Sequence, residues 1–418
     1  MGTTPLKTDH LVREARVAVR SVIRRSHQVK GWELLQERDA EGTPRGALPY
    51  TDAALAEFDQ AHKLDPNDVG VVHHLAIGHH ARAWDLELAG DPRAAKEWER
   101  ALGYWSTLGA SREFWAGLWQ KLAACDPDAD ASVLDAARRD LLEDLLDLHV
   151  DFVRYHCELG RPERAGSHVE LVKRARIPPA VKKRLIGKVF EAMTSPVAEA
   201  QAAGAYASAL TCVERFLDLF PDPAHVPALR MHAELTGAWL SGLSYQDDWA
   251  EIVTVGARAE RFASRLAAHP ELEATPLAVS ALEELTGEMA LRAHDRGMSF
   301  LSGLEQGVLT VSDREAAAEA FEVGMTWGRF GQPHSRPGAL VGSMLAACLY
   351  GHAVCLHHEA AEVVNSNVND ELCARAGLRL CRQALAEMEE SVACAPDEPA
   401  LVEMLDKLRS DIGKLEGA

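Results

Sequence analysis

One arrangement recurs along this chain: a small residue, a large apolar one four positions on, a second small one three positions later, and in most copies a proline beyond. Ala54, Phe58, Ala61 and Pro66 give its clearest form. Ala94, Trp98 and Ala101 repeat the first three positions; Tyr206, Ala209, Val213, Phe216 and Pro221 give a longer version with Phe216 in place of the second small residue, and Ala384, Met388, Ser391 and Pro396 a last one. Spacings of three and four place such residues on one helical face. A helix lying close on a neighbour needs small side chains where the backbones approach and a large one to fill the groove a turn later. Proline follows because it has no N–H with which to continue the helical ladder. A chain built of such segments folds as packed helical hairpins.

In order and spacing this half-repeat resembles the second helix of a tetratricopeptide repeat. The resemblance implies an all-α fold of stacked helical hairpins, an α-solenoid or superhelix, and scaffold or adaptor work: a groove that binds another protein or peptide, with no chemistry of its own. The family's first-helix signature of Trp, Leu, Gly and Tyr is missing ahead of Ala54, where Gly42, Pro44, Gly46 and Pro49 read as loop. The family's peptide-contact positions therefore do not transfer residue by residue.

Composition agrees with an all-α reading. Nearly half of the 418 residues are apolar, few are aromatic, and runs alternating Val, Ile, Thr and Tyr are absent. Eight cysteines with no closely spaced pair make a disulfide framework unexpected. Arg13, Arg16, Arg20, Arg24 and Arg25 interrupt the apolar positions of the N-terminal segment, which is no secretory signal, so a cytoplasmic location is expected. A net charge of -19 repels phosphate and disfavours nucleic acid as a partner. Two segments run against it: Lys7 to Lys30, with seven basic residues against Asp9 and Glu14, and Arg161 to Lys188, with nine against Glu163 and Glu170.

The chain divides by its punctuation into an N-terminal amphipathic basic helix (1–41), hairpins over 50–222, and a C-terminal helical region (224–418), with a soft boundary at Pro221 to Pro227. The cluster Gly42 to Pro49 leaves the first helix able to dock separately or exchange with a neighbouring copy, so oligomers are possible. Asp91 and Pro92 fit an N-cap and first helical position. Trp84, Trp98, Trp105, Trp115 and Trp119 are expected to form the core between the hairpins. Residues 339–356 carry no formal charge and approach the length of a membrane span. Gly342, His352 and the flanking His357, His358 and Glu359 suit lipid poorly, and Gly338, Gly342 and Ala346 allow close helix packing, so a buried core helix, and no membrane, is the reading.

Two constellations carry candidate sites. His73, His80 and Trp84 share one helix face and read as a partner-contact surface or a partly buried seam. Cys348, His352 and Cys355, followed by Glu359, share another; two thiolates and an imidazole are ligands for zinc if a second helix completes the set. Cys348 and Cys355 stand two turns apart, about 10 Å along the axis, which argues against one ion gripping both. The expectation is no cofactor, with zinc and a helical metal- or small-molecule-binding enzyme centred on 339–359 as the alternative. No phosphate loop, dinucleotide fingerprint, zinc-protease helix or nucleophile elbow occurs.

Overall fold

In the computed structural model the described residues are 6–41, 43–112, 116, 117, 120, 131–221, 225–302, 310–336, 338–366 and 371–417, and among them there are helices and turns but no strand. The chain forms two compact units, Met1–Ser195 and Pro196–Ala418. The first holds α1 (Leu6–Asp39), α2 (Pro44–Leu64), α3 (Val69–Leu88), α4 (Ala94–Ala110), α5 (Ala131–Glu158), α6 (Gly166–Arg174) and α7 (Pro179–Thr194). The second holds α8 (Val197–Ala202), α9 (Tyr206–Leu219), α10 (Val226–Gly242), α11 (Trp249–Ala267), α12 (Pro276–Leu301), α13 (Val311–Gly331), α14 (Leu340–Ser366), α15 (Glu371–Cys394) and α16 (Pro399–Gly417). Neighbours in sequence are neighbours in space: α1 packs on α2, α3 on α4, α9 on α10, α12 on α13 and α14 on α15. The fold is thus all-α, built of stacked helical hairpins.

The division at Ser195 falls ahead of the boundary read from Pro221 to Pro227. The helices on either side of that segment, α9 and α10, pack on each other as one hairpin. Of the segment expected as loop, residues 44–49 are helix, and Gly42 lies outside the described residues. Thr43 caps α2 by accepting from the Gly46 N–H at 3.2 Å, Pro44 takes the first position, and Pro49 lies inside the helix. Pro49 and Arg45 are both exposed, so water can satisfy the Arg45 carbonyl that Pro49 cannot reach. Further along, α4 begins at Ala94, and Asp91 accepts from the Arg93 N–H at 2.9 Å, capping a turn and not the helix.

Three hairpin turns repeat one device. Gly90, Gly160 and Gly204 follow α3, α5 and α8 at φ near 70° (70°, 67° and 72°), a region only glycine enters freely. In each, the next residue's N–H reaches back five positions at 2.8 Å: Asp91 to Leu86, Arg161 to His156, Ala205 to Ala200. The paired bond from the glycine itself completes a Schellman cap.

In all four copies of the sequence pattern the helix residues are core, save Tyr206, which is half-buried. Ala54, Phe58, Ala61, Ala94, Trp98, Ala101, Ala209, Val213, Phe216, Ala384 and Met388 are each wholly excluded from solvent, as is Ser391, whose hydroxyl donates to the Ala346 carbonyl at 2.8 Å. Phe58 lies where Gly31 of α1 leaves room, since a Cβ there would press into its ring, while a Cβ at Gly78 of α3 would press into the neighbouring Leu55. Of the five tryptophans, Trp98 and Trp105 join this core and Trp84 packs on its edge; Trp115 and Trp119 fall outside the described residues.

A polar repeat accompanies the apolar one. In three hairpins the residue just before the large plug is a glutamate, and it accepts from a histidine Nδ1–H of the preceding helix. The pairs are His27 with Glu57 at 2.6 Å, His79 with Glu97 at 2.6 Å, and His352 with Glu387 at 2.7 Å. In the α9–α10 hairpin the sense reverses: Glu214 accepts from His232 Nε2 at 3.1 Å and from Arg258 Nε at 2.7 Å.

Helix α14 packs against α12, α13 and α15. It has the length and composition to cross a membrane, with a mean hydropathy of 1.5 over its most apolar window, but 56% of that window is buried inside the unit. Its close approach to α13 is made at Gly351 and, from the α13 side, Gly324 and Gly328. At Gly342 a Cβ would meet nothing within 4 Å.

Candidate functional site

Helix α5 carries His149, Phe152 and His156 at spacings of three and four, hence on one face. Helix α4 supplies Glu99, Leu102, Gly103 and Ser106 opposite, α6 brings His168, and the short turn Pro162–Ala165 adds Arg164. With Phe152 and His156 these residues line a cleft of about 470 Å³, and His149 lies behind it against His168. Its floor is aromatic, with the Phe152 ring centroid 4.4 Å from that of His156 and 4.3 Å from that of His168. Glu99 and Arg164, both exposed, place opposite charges on the rim.

His149 and His168 meet Nδ1 to Nδ1 at 2.8 Å, a contact in which one ring donates its N–H and the other accepts. Burial pushes both pKa values down to about 4, and the neighbouring His149 and His156 add to the effect at His168. His156 is lowered by burial and then by Arg164. At neutral pH the site therefore presents uncharged imidazoles, able to donate and accept hydrogen bonds, beside an aromatic platform.

These shifts make the first unit sensitive to acid. A histidine whose folded pKa is depressed contributes stability that is present above its unfolded pKa and lost as pH falls through the folded value. For His149 and His168 the window runs from about 6.5 down to about 4. In the second unit Glu214 lies at about 2: burial opposes its ionisation, but the bonds from His232 and Arg258 outweigh it, so its contribution is lost between about 4.5 and 2. Denaturant melts at stepped pH are expected to show the first unit weakening below about pH 6.5, with the His149→Phe variant losing part of that dependence.

The two constellations read from sequence are placed differently. His73 stands edge-on to Trp105, with ring centroids 5.4 Å apart. His80 Nε2 accepts from Trp84 Nε1 at 3.1 Å and lies 3.7 Å from Asp151 Oδ2, while Trp84 meets Trp98 edge-on and holds the Arg154 guanidinium 4.3 Å above its ring. All three therefore pack half-buried against α4 and α5, behind the floor of the cleft, where Trp98, Trp105 and Phe152 belong to one core cluster.

Cys348, His352 and Cys355 are all buried, and they are divided. The two cysteines join the core around Phe321, with the Cys348 thiol 3.6 Å from the Ala290 carbonyl, and burial pushes both thiols up to about 12. His352 turns to Glu387, with Glu322 3.6 Å from its other nitrogen. Among the described residues no group of three or more His, Cys, Asp and Glu is placed to hold a metal ion.

The cleft itself was legible only in part. The row His149, Phe152, His156 is a helical-face signal open to a sequence reading, whereas His168 joins it only through the turn at Gly160.

No family model matches the chain, and no curated protein does. Among solved structures it aligns with one described as "Structure of Naa15/Naa10 bound to HypK-THB", at 13% identity, over 93% of this chain and 62% of that one, with a TM-score of 0.17. The chain thus spans less than two thirds of that protein's length. A superposition so loose leaves the fold resting on the hairpins and caps described above.

Proposed function

We propose that this chain is a protein- or peptide-binding scaffold of tetratricopeptide type, and that the cleft between α4, α5 and α6 takes a side chain of its partner. The observation that supports this most directly is the cleft's lining: an aromatic floor, neutral imidazoles and a rim of opposite charges. Such a surface suits an uncharged or aromatic side chain flanked by polar backbone. The recurrence of a small residue with an apolar one four positions on, buried in every copy, supports the repeat assignment.

Gly103 offers a clean test. It lines the cleft on α4, and a Cβ there meets nothing within 4 Å, so a substitution does not disturb the core. Gly103→Ala is expected to stabilise the helix by about 0.5–1 kcal/mol, while Gly103→Trp projects an indole into the cleft. Peptides selected from a displayed library against the intact chain should retain binding to Gly103→Ala and lose it on Gly103→Trp. Selected peptides that bind both variants equally would remove the cleft as the binding site.

A further inference from the structure

The first helix outruns its hairpin partner. Helix α2 ends at Leu64, and the next residue, Asp65, lies level with Arg24: Arg24 Nη1 is 2.5 Å from Asp65 Oδ2, and its Nε is 3.0 Å from Asp68 Oδ2. Beyond that clamp α1 continues over residues 6–23, about 27 Å of helix at the usual rise. Every residue from Arg16 to Ile23 is exposed. Val19 is 57%, Val22 69% and Val29 51% exposed, an unusual cost for large apolar side chains on one face.

The exposed residues have a pattern. Val19, Val22, Ser26 and Val29 follow at intervals of three, four and three, the seam of a two-helix coiled coil with a β-branched residue at the first position. Arg16, Ile23 and Lys30 flank the seam on one side, and Ala18, Arg25 and Trp32 on the other. Lys30 is tied to Glu57, while Arg16, Arg20 and Arg25 enter no ion pair among the described residues. In a parallel self-pair Arg25 would face Lys30 of the other copy, so like charges oppose pairing of two α1 helices. A helix lying on a membrane surface favours Trp, Phe and Leu on its apolar face, whereas this seam is Val with a serine at its centre.

We propose that residues 16–32 of α1 are a docking strip for an acidic amphipathic helix of a partner protein, which pairs with the exposed face of α1 beyond the end of α2 and on along the side that α2 leaves open. The partner's helix carries apolar residues at seam positions and Glu or Asp at the flanks. This rests on α1 alone and is independent of the cleft.

The probe is a synthetic helix about three heptads long, with Val and Leu at its seam and Glu at its flanks, titrated by fluorescence anisotropy against the intact chain. A control peptide carries Lys at the flanks, and vesicles of phosphatidylglycerol and phosphatidylcholine serve as a membrane probe. The acidic probe is expected to bind, to weaken with salt, and to weaken at least roughly tenfold on Val19→Asp with Val22→Asp. The melting temperature of that variant should hold, because both side chains are exposed in the free protein. Replacing Arg16, Arg20 and Arg25 by Glu should transfer preference to the Lys-flanked peptide. The proposal is overturned if neither peptide binds, if both bind alike, if vesicles bind and peptides do not, or if sedimentation shows α1-dependent dimers in which the valine substitutions abolish self-association.

Discussion

Trp98→Ala is expected to lower the stability of the first unit by about 3–5 kcal/mol, the cost of removing a large aromatic side chain from a site with no access to solvent. Trp98 lies between Ala94 and Ala101 of its own helix and packs with Ala83, Leu86 and Phe152 in one cluster, so the vacated space cannot be refilled by a rotamer change of small neighbours. Its Nε1–H also donates to Glu87 at 2.9 Å, and burial already pushes that carboxyl's pKa up against the pull of Arg154 and Trp98. Removing the donor raises the cost of keeping Glu87 charged. Urea melts of the variant decide the matter. A loss below about 1 kcal/mol would mean that the plug is not structural, and the repeat reading would fail at one of its four sites.

The second large effect concerns a ring held by two glycines. Phe321 of α13 is wholly buried, and a Cβ placed at Gly297 of α12 would come within 2.6 Å of its Cε1 and Cζ atoms. Gly351 of α14 approaches the same ring as closely from the other side. Glycine at both positions is a steric requirement of the packing. Gly351→Ala is therefore expected to destabilise the second unit by about 1–3 kcal/mol through overpacking, although alanine is the better helix former. Gly342→Ala, nine residues earlier on the same helix where a Cβ meets nothing within 4 Å, should have the opposite sign and a magnitude of up to about 1 kcal/mol. Thermal melts of the pair check both signs at once.

The contrast between plugs and seats explains how much could be read in advance. Phe58, Trp98 and Met388 were legible because their small neighbours stand three or four positions away, and helical geometry is local. Gly31, Gly297 and Gly351 carry no such signal. Each is one glycine in helical text until the fold sets another helix's ring against it. The same holds for His79 and Glu97 or His352 and Glu387, whose partners lie on different helices. His73, His80 and Trp84 do share a face, yet periodicity alone cannot tell whether a face meets solvent or α4 and α5. Pro49 misled for the opposite reason: a strong local breaker was tolerated because its position is exposed and early in α2.

The plugs differ in size, and so do the residues they meet. Phe58 lies against Gly31, Trp98 shares its cluster with Ala83, and the slimmer Met388 shares its own with Leu356. The histidine and glutamate pairs are nearly the same in three hairpins, so by themselves they would let a helix close onto the wrong neighbour as the chain collapses. Unequal plugs prevent that. Trp98 brought against α1 would find a seat shaped for a phenylalanine, and Met388 brought there would leave a void. An array of similar modules is thereby protected from mispairing during folding, and a graft that exchanges one hairpin's second helix for another's will fail unless the seat is exchanged with it.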